Sequence, residues 1–78
     1  MQRAPRIDKH RRLRQRLRLH RLDRGLSFDR LRDDISAATG VPISSPTLMR
    51  FLAAERRTNE INIHAIKRYL SAFRQVQL

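Results

Sequence analysis

The chain has no cysteine. That excludes disulfide staples and thiolate metal sites, and nothing argues for an oxidising compartment. No apolar run approaches the roughly 18–20 residues that a bilayer crossing needs. The arginine-rich start is not followed by an apolar core segment, so a secretory leader is not expected. Asp8 and the scarcity of serine there also speak against an organelle transit peptide, and a cytoplasmic location is the default expectation. Strand signals are sparse, with no Asn-Gly or Asp-Gly hairpin turn and only the short Ile61–Ile63 fragment of alternation. Catalytic signatures are lacking as well. There is no glycine-rich phosphate loop and no nucleophile motif. His10, His20 and His64 are dispersed without a ligand pattern, and the neighbouring Asp33 and Asp34 face different directions on a helix. The expectation is a non-enzyme with neither cofactor nor metal and no evident small-molecule ligand.

What is abundant is positive charge. Lysine and arginine number 18 against 7 acidic residues, a formal net charge of +11 in 78 residues. Residues 1–24 hold ten of these cations against Asp8 and Asp23, a net of +8. Nearly all are arginine, whose planar fork suits phosphate and guanine better than a point charge does. A polyanionic partner is expected, nucleic acid first.

A chain of this size makes one small domain with a modest core. Residues 1–8 contain Pro5 and no periodicity and read as a flexible basic arm, leaving 9–78 as the domain. From Lys9 to Arg24 there is no helix breaker. Leu13, Leu17, Leu19 and Leu22 read as an apolar stripe between arginines, and Gly25 ends the helix. Ser27 is a good N-cap for a second helix. Phe28, Leu31, Ile35 and Ala38 form its buried face, Asp29 lies in its first turn, and Gly40 stops it. Val41 is expected to plug the core from the turn Val41-Pro42-Ile43-Ser44. Ser45 as N-cap and Pro46 at the first helical position open a third helix, with Leu48, Phe51 and Leu52 on one face. Residues Glu55 to Glu60 read as a polar loop. Asn62 is the expected cap of a fourth helix whose stripe is Ile63, Ile66, Leu70 and Phe73, with Val76 extending it. The expected fold is therefore all-α, a compact domain of four, at most five, helices.

Residues 28–54 have the layout of a helix-turn-helix: a supporting helix, a turn with small residues at Ser36 and Gly40, and a second helix with its apolar side down. Ser44, Ser45, Thr47, Met49 and Arg50 are then the candidates to face a DNA groove. Arg50 is the leading candidate for a two-point contact with guanine, worth roughly 1–3 kcal/mol of discrimination. Arg56 and Arg57 follow as phosphate contacts. The arm residues Arg3 and Arg6, with Arg11, Arg12 and Arg14 of the first helix, are candidates to track phosphates or enter a minor groove.

These segments, from Leu13-Arg14-Gln15-Arg16-Leu17 through Arg24-Gly25-Leu26-Ser27, Ile35 to Val41, Ser45 to Leu52 and Asn62 to Leu70, resemble the Cro/CI-type helix-turn-helix family with its lambda-repressor-like fold. The resemblance spans residues 10–74. It departs from the family in about one extra helical turn between Ser27 and Ile35 and a turn after Gly40 about two residues longer. Arg32 stands where the family often has a phosphate-contacting glutamine. The resemblance implies a homodimeric, sequence-specific regulator of transcription, a repressor more than an activator, bound to double-stranded DNA. The apolar C-terminal residues Tyr69, Phe73, Val76 and Leu78 are the candidate dimer surface, with completion of the core as their equal alternative. Two other functions fit the residues: a protein-interaction module of antiactivator or antitoxin type on the same scaffold, and RNA binding through the arginine-rich first helix.

Overall fold

In a computed structural model, residues 9–54 and 58–74 are described, and they form four α-helices in sequence: α1 (Arg11–Arg24), α2 (Phe28–Thr39), α3 (Ser45–Ala53) and α4 (Glu60–Arg74). No strand occurs among the described residues, and no helix there is long and apolar enough to cross a membrane.

The helices share one core. Leu13 and Leu17 enter it from α1, Leu31 and Ile35 from α2, and Leu48, Phe51 and Leu52 from α3. From α4 come Ile63, Ala65, Ile66, Tyr69 and Leu70. α2 packs against both α3 and α4, and α1 closes the opposite side against the same two helices. Apolar area removed from water at about 25 cal/mol per Å2 is the main stabilising term in such a small domain.

Three helix ends adopt the left-handed conformation. α1 ends at Gly25 (φ 63°), where the Leu26 N–H donates to the Arg21 carbonyl (3.0 Å) in the pattern of a Schellman cap. α2 ends at Gly40 (φ 74°). α3 ends at Ala54 (φ 56°), where the Cβ makes the same conformation strained.

The starts of α3 and α4 lie elsewhere than the sequence suggests. The N-cap of α3 is Ser44, not Ser45: its backbone is extended, and its hydroxyl accepts the Thr47 N–H at 3.2 Å. Pro46 is accommodated in the first turn, where a missing N–H costs nothing. α4 begins at Glu60, with the Asn59 side chain accepting the Asn62 N–H at 2.9 Å, so Asn62 is capped rather than capping.

Three expectations about burial also change. The leucine stripe of α1 divides: Leu13 and Leu17 are buried, whereas Leu19 and Leu22 are 66% and 62% exposed. Ala38 is exposed, because the buried face of α2 ends at Ile35. In the α2–α3 connection the buried plug is Ile43, while Val41 is only half-buried. That loop is pinned by α2 hydroxyls. The Ile43 N–H donates to Ser36 Oγ at a long 3.5 Å, and the Val41 N–H donates to Thr39 Oγ1 at 3.2 Å. Thr39 in turn donates to the Ile35 carbonyl at 2.7 Å.

Candidate nucleic-acid interface

α3 carries the candidate site because it is buried on one side only. Leu48, Phe51 and Leu52 hold it to the core, and the 3.6-residue period then turns Met49 and Arg50 outward; both are exposed. At its amino end the Ser44 and Thr47 hydroxyls share a hydrogen bond of 2.7 Å, with Ser44 exposed and Thr47 half-buried. Thus Ser44, Thr47, Met49 and Arg50 do lie along one short helix and its cap, as expected. Ser45 is committed differently, its hydroxyl donating to Asp29 Oδ1 at 2.5 Å.

That carboxylate belongs to a charged cluster on α2. Arg32 pairs with Asp33 at 3.0 Å and with Asp29 at 3.5 Å, and Arg30 pairs with Asp34 at 3.2 Å. The hydrogen bond that Arg32 donates to Asp33, above all, raises the already high pKa of Arg32. Arg32 therefore sits among carboxylates and not at a bare phosphate-facing edge. Asp29 places negative charge beside the amino end of α3, where the helix dipole favours an anion.

The carboxyl end of α3 is held from α1. Arg14 Nε donates to the Phe51 carbonyl at 2.6 Å while its guanidinium lies 5.1 Å from the Phe51 ring centroid. Arg18 Nη2 donates to the Leu52 carbonyl, also at 2.6 Å. Two cations hold the last carbonyls of α3 at the negative end of its dipole, the Phe51 carbonyl accepting the Ala54 N–H (3.2 Å) as well. Arg14 thus clamps α3 to α1. Neither it nor Arg18 carries a local signal of this role, since the partners lie 37 and 34 residues away. Arg11 and Arg12 remain exposed on the far side of α1. Arg3, Arg6, Arg56 and Arg57 lie outside the described residues.

On the proposed dimer surface the residues separate. Tyr69 is 3% exposed and belongs to the core, because α4 turns that position toward α1. There Tyr69 Oη lies 2.7 Å from His20 Nε2. Phe73 is half-buried against both rings, with Arg24 4.4 Å above its face. Tyr69 is accordingly removed from the candidate dimer contact. Val76 and Leu78 lie outside the described residues. Burial, and then the nearby Arg24, lower the His20 pKa against an opposing pull from Asp34 and Asp23; burial raises that of Tyr69.

Among the described residues no group of three histidines or acidic residues is placed to hold a metal ion. No protein-family model, curated protein or solved structure matches this chain, so what α3 does has to be read from its own side chains and their surroundings.

Proposed function

We propose that the protein is a sequence-specific DNA-binding regulator of transcription in which α2 and α3 act as a helix-turn-helix of the lambda-repressor-like kind. In this reading α3 enters the major groove. Arg50 reads a guanine edge, Met49 and Thr47 offer apolar contact to thymine methyl groups, and Ser44 contacts the backbone. The observation that carries the reading is the one-sided burial of α3: Leu48 and Phe51 face inward, so Met49 and Arg50 are presented on a helix anchored at both ends. The charge of +11 supplies the sequence-independent attraction, and Arg11, Arg12, Arg56 and Arg57 are its phosphate contacts. Occupying an operator and blocking polymerase is the simplest action for so small a domain. A homodimer, joined through Phe73, Val76 and Leu78, would read two half-sites.

The test is fluorescence anisotropy of the full chain with duplex DNA from upstream of its own gene, against a scrambled duplex, across a salt series. A preference that survives moderate salt supports the reading. Equal, weak binding that collapses with salt overturns it, and stronger binding to a structured RNA of the same length would transfer the function to RNA.

A further inference from the structure

On the outer face of α1 the reading above uses only Arg11 and Arg12, as phosphate contacts, and leaves the apolar side chains there without a role. Its positions Arg12, Gln15, Leu19 and Leu22 recur at spacings of three, four and three, which places them on one stripe. All four are exposed, on the face opposite the buried Leu13 and Leu17. Leu19 and Leu22 are two of the four exposed large apolar side chains in the described residues, and they stand one turn apart. This is the spacing of a helix-pairing seam. The positions beside it, where paired helices place their charges, are Arg11, Arg16, Arg18 and Asp23.

We infer that this stripe is a docking surface for an acidic amphipathic helix of another protein, one that sets leucine-like side chains against Leu19 and Leu22 and carboxylates against the flanking arginines. Charge complementarity selects this occupant over a second copy. If two copies paired in parallel, Arg11 of one would face Arg16 of the other; if antiparallel, Arg11 would face Arg18. In both arrangements Arg12 enters the seam itself, where a cation opposes self-pairing, and Asp23 is the sole acidic group at these positions. An acidic partner turns each of the arginine contacts favourable, and only Asp23 opposes it. The leucines add the apolar burial that distinguishes such a partner from any polyanion.

The probe is a labelled synthetic helix of three heptads, with leucine at the seam positions and glutamate beside them, titrated with the full chain by fluorescence anisotropy. Saturable binding is expected, with amide shifts in NMR confined mainly to α1. The double variant Leu19→Gln and Leu22→Gln should weaken it by about tenfold or more. Because both side chains are exposed, thermal stability and duplex binding should stay as they were, which separates this surface from the α3 reading. Equal binding of a leucine-free glutamate peptide, or of a helix with lysine flanks, would overturn the inference. So would self-association that the double variant abolishes, which would seat a second copy there, or tighter binding to phosphatidylserine vesicles than to the peptide.

Discussion

His20 Nε2 and Tyr69 Oη meet at 2.7 Å across the α1–α4 seam, with their rings edge to face at 5.1 Å. Burial and the neighbouring Arg24 disfavour the protonated imidazole, outweighing Asp34 and Asp23. The folded pKa of His20 is therefore below the usual 6.5, and the unfolded chain takes up the proton first. The stability this seam contributes is complete above about pH 6.5 and is lost as pH falls through the lowered folded value. Thermal melts from pH 7.5 downward should show this loss, and His20→Gln should reduce it. A profile unchanged by that substitution would remove His20 as its source. Tyr69→Phe should cost about 1 kcal/mol at neutral pH, the worth of one hydrogen bond.

Phe51 is buried beneath α3, and its carbonyl holds Arg14. Phe51→Ala should cost about 3–5 kcal/mol, enough to unfold much of so small a domain. Circular dichroism during heating checks this. An unchanged melting temperature would mean that α3 is not anchored by this side.

Arg50 is exposed on the outer side of α3. Arg50→Ala should relax the preference for cognate over scrambled duplex by roughly 1–3 kcal/mol, the range for a bidentate base contact. Arg56→Ala, by contrast, should weaken both duplexes alike and flatten the salt dependence. Equal losses on both duplexes for Arg50→Ala would take it off the list of base-reading residues.

Asp29 accepts the Ser45 hydroxyl next to the amino end of α3 and so opposes an approaching phosphate. Asp29→Asn keeps an acceptor oxygen and removes the charge. Duplex affinity should rise severalfold at low salt, and the gain should shrink as screening increases. Unaltered affinity at every salt concentration would place Asp29 away from the bound backbone.

Ala54 closes α3 at φ 56°, the left-handed conformation that glycine serves at the ends of α1 and α2. Ala54→Gly relieves a strain of roughly 1–2 kcal/mol and adds backbone entropy to the unfolded chain. The net expectation is a gain of up to about 1 kcal/mol in denaturant unfolding. A loss would show that the Cβ of Ala54 is more useful than its conformation is costly.

The order of elements was legible in the sequence because its signals are local. Gly25 and Gly40 stop helices, Ser27 caps one, and the 3,4 spacings of Leu31, Ile35, Leu48, Phe51, Leu52, Ile63, Ile66 and Leu70 assign their buried faces. Local rules also erred by one to three residues, at Ser44 against Ser45 and at Asn59 against Asn62. In both places more than one capping-type side chain stands near the helix start, and which one caps depends on where the flanking chain leads. The composition alone determined the positive charge and the absence of thiol chemistry.

Tertiary structure decided everything that joins distant residues. The two-residue step from Leu17 to Leu19 splits the four leucines of α1 between opposite faces, Leu13 with Leu17 and Leu19 with Leu22. Only the seating of α3 and α4 buries Leu13 and Leu17 and leaves Leu19 and Leu22 in water. Sequence cannot tell an arginine that meets a phosphate from one that meets a carbonyl 37 residues away, because the guanidinium suits both. It is the approach of α1 to the carboxyl end of α3 that turns Arg14 and Arg18 into clamps.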